Sequence, residues 1–459
     1  MSEPLPSQDK ARPAAWPFWY WLAAIGALGL LARMPVVAAI AAEPDRAILA
    51  SDSWGYLELG QRLAVMGRFS STAPEFTPEV VRTPGYPALI ALLALVGGPQ
   101  PILPLVVAQA ILGAGIAVGV VLLGRKLFGV PAGILAGALY ALAPISIIMT
   151  GFIYAETLFA AWLVGGALLA IHAPDRDRFA LSVAGGLAFG LATLTRPIGL
   201  PLAPLLASIP VTSSPSPSGA AGGKVGRGLR HAAALLAGFL IVVAPWMARN
   251  AAYGGRFSVS AISDINLFYY NAASLEAHRL GLSIDEARSL MDRRLAAQPP
   301  VESGWPGEQA GRLARQVILA HPLAFAWYNG LDALNGLRPG FSFLLRLVDG
   351  EAPVSLESLR TALGQPAPIL LIELVMLAYV VLLVVGSAIG LLALIRQREW
   401  RAIVLLGLIP AWLLYLPGLA SNARFRAPVE PLLAILAAVG LLTVGRLARS
   451  RRREIRAAG

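Results

Sequence analysis

Stretches of about 20 apolar residues recur from one end of this 459-residue chain to the other. A helix of that length crosses the hydrocarbon core of a bilayer, because each residue adds about 1.5 Å. Only 14% of the residues are charged and 57% are hydrophobic, whereas soluble domains carry about 25% charged residues. The pattern therefore predicts an all-α polytopic membrane protein.

We predict about ten transmembrane helices, at 16–40, 101–124, 132–150, 155–172, 179–195, 198–212, 231–248, 367–395, 401–419 and 427–446. If these alternate, one side of the membrane receives the basic residues Lys10, Arg12, Arg125, Lys126, Arg176, Arg178, Lys224, Arg227, Arg230, Arg396, Arg398, Arg401 and the tail "RLARSRRREIR". Short loops rich in Lys and Arg stay in the cytoplasm. Both termini are therefore expected to be cytoplasmic.

Three regions follow from this topology. Residues 1–248 form an N-terminal transmembrane module with a first outer loop at about 41–100. Residues 249–366 form a long, partly helical outer loop, and residues 367–459 form the C-terminal transmembrane helices and a basic cytoplasmic tail. The chain has no cysteine, which excludes disulfides and thiolate metal sites.

The first outer loop predicts two interfacial helices. The stretch "SDSWGYLELGQRLAVMGRFS" begins with Asp52 and is too short and polar to span, so it should lie in the outer interface. The stretch "RTPGYPALIALLALVGG" has only about ten apolar residues after Pro87, enough for about half of the bilayer core. Its turn places Arg82 at the membrane surface. Asp52 could also serve only as a helix N-cap.

The order of these elements resembles the GT-C superfamily of integral-membrane glycosyltransferases. It runs from an outer Asp through "RTPGYP" and "GRKLFG" to an acidic residue in "YAET", and the likeness returns at "APWMARN" and "RFRAPVEPLLAILAAVGL". The bacterial branch that includes protein O-mannosyltransferases and aminoarabinose transferases is most similar. Ser53 stands where relatives often have a second acidic residue, and Glu156 stands where they often have Asp. The sequence after the last span shows no large soluble domain, so we do not expect an oligosaccharyltransferase.

The resemblance implies an inverting transferase in the bacterial cytoplasmic (inner) membrane, with its active site on the periplasmic side. The donor would be a sugar linked to polyprenyl phosphate, and the acceptor a glycan, lipid or protein; membrane lipid is a partner and nucleic acid is not. Asp52 would be the general base, with Glu156 as a second acidic residue. The remaining predicted residues are Arg82, Arg196, Arg249, Arg424 and Arg426 for the donor phosphate and Tyr56, Tyr86 and Tyr154 for the cavity wall.

Simpler roles stay open for several of these residues. Glu156 could cap a helix, Arg33 could extend to the membrane surface, and Arg249 could interact only with a helix dipole. Asp52 and Glu156 could hold a divalent cation, but the sequence does not require one, and no cofactor is predicted. Alternative functions are a transporter or flippase of polyprenyl-linked glycans and a polymerase or ligase of surface polysaccharide. The sequence does not identify the sugar or the acceptor.

Overall fold

A computed structural model describes residues 17–49, 51–70, 77–174, 177–213, 221–299, 304–349 and 367–458. Within these ranges the backbone is helical, and the one β-type contact is an isolated antiparallel bridge between Ser70 and Pro78. The prediction of an all-α protein is confirmed. Lys10, Arg12 and Arg176, which entered the topology prediction, lie outside the described residues.

The helices are numbered in chain order. The N-terminal part contains α1 (Phe18–Leu31), α2 (Met34–Ala42), α3 (Ser51–Met66), α4 (Gly85–Gly97), α5 (Ile102–Phe128), α6 (Val130–Ala141), α7 (Pro144–Ile148), α8 (Glu156–His172), α9 (Phe179–Thr195), α10 (Leu202–Ser213) and α11 (Ala221–Gly254). The long outer loop contains α12 (Ile262–Asn266), α13 (Ala273–Leu280), α14 (Ile284–Ala296), α15 (Glu308–Ala320), α16 (Pro322–Ala333) and α17 (Phe341–Asp349). The C-terminal part contains α18 (Ala367–Gln397), α19 (Trp400–Ile403), α20 (Ile409–Tyr415), α21 (Ala423–Arg426) and α22 (Glu430–Ala458).

All ten predicted spans fall on helices, but fewer than ten of these are long enough to cross a membrane unaided. In the described part of the chain, five helical stretches have the required length and hydropathy: Phe18–Ala42, Ile102–Phe128, Gly226–Gly254, Ala367–Gln397 and Glu430–Arg456. The pair Val130–Ala141 and Pro144–Gly151, bent by 52°, would make a sixth.

The four remaining predicted spans are shorter apolar helices. Two of them, α8 and α9, have 17 residues each. Proline accounts for much of the shortening, because it has no backbone N–H and disfavours helical geometry in the residue before it. Pro197 follows the end of α9 and precedes α10, and Pro410 follows the π-helical turn Val404–Leu408 between α19 and α20.

Glycines let two pairs of helices approach closely. A methyl group on Gly186 of α9 would overlap the carbonyl oxygen of Leu235 in α11, and one on Gly238 would overlap that of Val183. In the same way Gly440 of α22 lies against the carbonyl oxygen of Gly386 in α18. Small residues at helix contacts are typical of membrane proteins, where close packing replaces the hydrophobic effect.

The first outer loop forms the two short helices that the sequence predicts. Helix α3 lies across α4, and Gly60 makes this possible because a side chain there would meet Ile90 at 2.6 Å. Helix α4 has 13 residues, which fits a half-depth element. Asp52 lies in the first turn of α3, which begins at Ser51, so it is not the N-cap residue.

The long outer loop has a small hydrophobic core of its own. Phe268, Met291, Leu313 and Ala314 are buried together among α13, α14, α15 and the π-helical turn Leu267–Ala272. Asp264 accepts hydrogen bonds from Arg256 (2.7 Å) and Arg315 (2.7 Å) and is buried. The described part of this region is therefore a packed unit with its own core.

Arg33 does not extend to the membrane surface as one alternative proposed. Its side chain is fully buried and donates to the carbonyl oxygens of Gly29 (2.7 Å) and Ala141 (3.4 Å). Gly113 makes room, since a Cβ there would meet the guanidinium of Arg33. The alternative is wrong because the side chain turns into the helix bundle, where a carbonyl of α1 and one of α6 accept from it.

Candidate functional site

Five charged side chains from distant parts of the chain meet at one place. They come from the first turn of α3, the turn before α4, the first residue of α8, the residue after α9, and the short helix α21: Asp52, Arg82, Glu156, Arg196 and Arg424. We call this group the charge cluster. By the predicted topology it lies at the outer ends of the helices.

Arg424 connects the two carboxylates of the charge cluster. Its Nη1 lies 3.8 Å from Oδ2 of Asp52, and its Nε lies 3.1 Å from Oε1 of Glu156. Arg82 reaches Asp52 from the other side, with 3.3 Å between Nη2 and Oδ1. Arg196 contacts the Glu156 oxygen that also faces Arg424. The five groups therefore form one continuous chain of ion pairs.

Solvent exposure decreases across the charge cluster from Asp52 to Glu156. The side chain of Asp52 is 48% exposed, whereas that of Glu156 is 2% exposed. The arginine side chains have intermediate exposure. An incoming molecule would therefore meet Asp52 first, and Glu156 can be reached only from inside.

Charge and hydrogen bonding in the cluster are both incomplete. Three guanidinium groups face two carboxylates, which leaves one positive charge without a counter-charge among the five residues. Oε2 of Glu156 is buried and accepts no hydrogen bond within the described structure. Buried polar atoms normally have partners. The site is thus suited to an anion together with a molecule that can donate a hydrogen bond.

The turn before α4 is built to hold Arg82 in place. The Glu79 carboxylate accepts hydrogen bonds from the backbone N–H groups of Val81 (2.5 Å) and Arg82 (3.0 Å). Gly55, one turn after Asp52 in α3, leaves the space that the guanidinium crosses, because a Cβ there would lie 2.6 Å from Cζ of Arg82. The glycine at position 55 therefore allows the Arg82 side chain to pack against α3.

The three predicted cavity tyrosines lie beside or beneath the cluster. The ring of Tyr56 packs edge-on against Tyr86 with 5.2 Å between centroids, and Cζ of Arg82 lies 5.8 Å from the Tyr56 centroid. The guanidinium of Arg424 lies over Tyr154, 4.2 Å from its centroid. Burial raises the pKa of the Tyr56 and Tyr154 phenols, so both remain neutral hydrogen-bond donors near neutral pH.

Sequence reasoning missed Gln109, which supports the site from below. Its amide accepts from the hydroxyl of Tyr86 (3.0 Å) and donates to the carbonyls of Thr150 (2.9 Å) and Phe152 (3.0 Å). It thereby ties α4 and α5 to the segment that precedes Tyr154 and Glu156. A single amide in the apolar run of α5 was the available signal, because buried polar groups in membrane helices need partners.

Arg249 makes its contacts outside the cluster. It donates to the carbonyls of Glu79 (2.6 Å) and Phe69 (3.1 Å) and lies over Trp246, 4.6 Å from the ring centroid. These bonds hold both sides of the first outer loop against the end of α11.

Arg426 also faces away from the cluster. It is buried, its Nε lies 3.0 Å from Oε1 of Glu430, and it donates to the carbonyls of Gly336 (3.0 Å) and Arg338 (2.6 Å). The anionic partner of Arg426 in the structure is thus the carboxylate of Glu430, four residues further along the chain, where the sequence predicts the donor phosphate. Of the five arginines predicted for the donor phosphate, the structure brings Arg82, Arg196 and Arg424 together.

Two further alternatives are a helix cap at Glu156 and a cation site formed by Asp52 and Glu156. Ala155 precedes α8, and Glu156 makes no side-chain capping bond to that helix in the described structure. Arg424 lies between Asp52 and Glu156 and contacts both carboxylates. The described residues contain no group of three or more His, Cys, Asp or Glu side chains that could hold a metal ion.

No protein-family model matches the sequence, and no curated protein matches it. Among solved structures, it is similar to the oligosaccharyltransferase AglB of Archaeoglobus fulgidus in complex with an inhibitory peptide and a dolichol-phosphate, with a TM-score of 0.53 and 15% identity over 96% of this chain and 52% of AglB. It also matches ArnT of Cupriavidus metallidurans bound to undecaprenyl phosphate, with a TM-score of 0.42 and 16% identity over 95% of this chain and 79% of ArnT.

These identities are low, so the comparison with AglB establishes the fold alone. This chain spans about half of AglB's length. Over that length the arrangement of membrane helices is shared.

Proposed function

We propose that this protein, whose fold is that of the GT-C glycosyltransferases, transfers a sugar from a polyprenyl-phosphate-linked donor to an acceptor on the outer side of the cytoplasmic membrane. The charge cluster is the observation that supports this function most directly. It offers guanidinium groups at the predicted membrane surface, an accessible carboxylate, and one positive charge in excess.

The donor phosphate would take the excess charge. A glycosyl phosphodiester carries one negative charge, which matches the single positive charge left over by the two carboxylates. Arg82 and Arg424 both face Asp52 at the open end of the cluster. A phosphate entering there would replace Asp52 as their partner, and the planar guanidinium groups suit its oxygen atoms.

This exchange would also prepare the base. When the phosphate pairs with Arg82 and Arg424, the Asp52 carboxylate is left without its two ion-pair partners and is free to accept a hydrogen bond from the acceptor group. Glu156 is too deeply buried for this task. It would hold Arg196 and Arg424 in position.

In the transfer step, an acceptor oxygen or nitrogen forms a bond to the anomeric carbon while its proton passes to Asp52. The bond from that carbon to the phosphate oxygen breaks, and its electron pair leaves with the phosphate. The phosphate changes from a singly charged diester to a monoester with up to two charges. Arginines therefore stabilise the departing group more than the bound donor, which accelerates the step. Attack from the side opposite the leaving group inverts the configuration at the anomeric carbon.

The position of the cluster favours an enzyme over a transporter or flippase. Transporters place their polar groups near the middle of the membrane on interrupted helices. Here the groups lie at helix ends: the first turn of α3, the first residue of α8, and the residue after α9. A polymerase or ligase would share the donor class and differ in the acceptor.

The test is donor consumption by purified protein in lipid nanodiscs, with radiolabelled undecaprenyl-phosphate sugars and a lipid or glycan acceptor extract. We expect the wild type to release undecaprenyl phosphate, and Asp52→Asn to do so at a rate lower by about 10²-fold or more. Glu58→Gln is the matched control, because Glu58 lies on the same helix and pairs with Arg62 (3.2 Å) outside the cluster. An intact donor with wild-type protein, or full activity in Asp52→Asn, would refute the proposal.

A further inference from the structure

Helix α16 in the long outer loop exposes apolar side chains and buries polar ones. Its exposed positions are all apolar: Pro322, Leu323, Ala326, Trp327 and Leu331. Leu323 is 85% exposed and Trp327 is 66% exposed, and Leu334 continues the same stripe just beyond the helix. Spacings of three and four residues keep these side chains on one face. Water-exposed helices have the opposite arrangement.

The buried face of α16 is polar. Asn329 accepts a hydrogen bond from Asn271 (2.8 Å) and donates to the carbonyl of Tyr415 (2.8 Å). Asp332 accepts from Ser274 and lies 3.3 Å from Nε2 of His278. Asp332 is the one charged residue in the helix, and it points inward. The polar residues thus face protein, while the apolar residues face outward.

The stripe lies beside the end of an apolar helical stretch that the sequence predicts to span the membrane. Tyr415 is the last residue of α20, in the apolar stretch Trp400–Tyr415. Its hydroxyl donates to the carbonyl of Ala326 (3.3 Å), and its own carbonyl accepts from Asn329. Helix α16 is therefore fixed to the C-terminal end of α20.

We propose that α16 lies in the outer leaflet, with Leu323, Trp327, Leu331 and Leu334 inserted among lipid acyl chains. An apolar stripe with no exposed charge, next to the end of a membrane helix, matches the chemistry of the interface between headgroups and hydrocarbon. Tryptophan is enriched at that depth. The inward polar residues fit the same arrangement, because they bond to protein where lipid offers no partner.

This anchor extends to the charge cluster through the segment that follows α16. The carbonyls of Gly336 and Arg338 accept from Arg426, and the carbonyl of Ala333 accepts from Ser421 (3.2 Å). Both donors flank Arg424. The depth of α16 in the leaflet thus sets the height of Arg424 above the membrane.

The chain has no cysteine, so single cysteines can carry spin labels without a background. We would place them at Leu323→Cys, Trp327→Cys and Leu331→Cys in the full chain in lipid nanodiscs. Matched controls are Asp285→Cys on α14 and Arg312→Cys on α15, both exposed polar positions of the same outer unit. The measurement is collision with oxygen, which dissolves in lipid, against collision with a water-soluble nickel chelate.

We expect the ratio of oxygen to nickel collisions to be several-fold higher at the three α16 positions than at the controls. Equal ratios at all five positions would place the stripe in water and overturn the proposal. Exclusion of both reagents with concentration-dependent spin broadening would place a second copy of the chain on the stripe, and would also overturn it. Three positions are used so that one poorly folded variant, recognised by thermal melting, does not decide the result.

Discussion

Arg424 is the residue on which the charge cluster depends most, because it contacts both carboxylates. We predict that Arg424→Ala weakens donor binding by about 1.5–3 kcal/mol, the usual loss for one charge-assisted contact. Arg424→Lys should recover part of this, since lysine restores the charge without the planar fork. The measurement is equilibrium binding of a polyprenyl-phosphate sugar. Arg312→Ala, an exposed arginine paired with Glu308, is the control.

Arg82→Ala should weaken donor binding by a similar amount, because Arg82 and Arg424 contact the same carboxylate, at Oδ1 and Oδ2 of Asp52. Each variant is first checked for folding by thermal melting. Unchanged donor affinity in both Arg82→Ala and Arg424→Ala would remove the phosphate from this site.

Some contacts of the predicted arginines can be inferred from the sequence and others cannot. Arg82, Arg196 and Arg424 were predicted near Asp52 and Glu156, and the structure brings all five together. Arg426 could have been separated from Arg424, since a residue of opposite charge, Glu430, follows it by only four positions in the chain. Arg249 could not, because its partners are backbone carbonyls in a loop distant in sequence.

Close helix packing gives a prediction at the scale of elements. Gly440→Ala should destabilise the protein by about 1–3 kcal/mol, because the added methyl group overlaps the backbone of α18 at Gly386. Gly445→Ala is the matched control: it lies five residues along the same helix and has no neighbouring atom within 4 Å. The measurement is the thermal melting temperature in detergent. Equal melting temperatures for the two variants would show that α18 and α22 can separate without cost.

Helix positions were predictable wherever apolar runs end at strong signals. Helix α9 occupies the predicted range 179–195, bounded by charged residues on one side and Pro197 on the other. Helix lengths were less predictable, because the same hydropathy is compatible with a full span, a bent pair or a short helix. The break between α6 and α7 at Pro144 and the π-helical turn before α20 depend on packing that one sequence does not reveal.

Membrane topology is testable for the whole molecule. Reporter fusions at Gly222 and after Arg453 should report cytoplasm, and one near Glu302, which lies outside the described residues, should report the outer side. Gly222 follows α10, which has only 12 residues. Its fusion therefore tests whether so short a helix crosses the membrane. A cytoplasmic signal near Glu302 would contradict the proposed orientation of the charge cluster.

The ion pair between Asp52 and Arg424 also constrains biogenesis. Asp52 leaves the ribosome early, whereas Arg424 is synthesised only when most of the chain has been inserted. A nascent chain would therefore hold its carboxylates without the arginine that joins them, and a translation product that stops before residue 424 could not complete the site. Assembly of the charge cluster is therefore tied to synthesis of the segment that contains Arg424, and under the proposed function a partly inserted chain would leave the lipid-linked sugar unused.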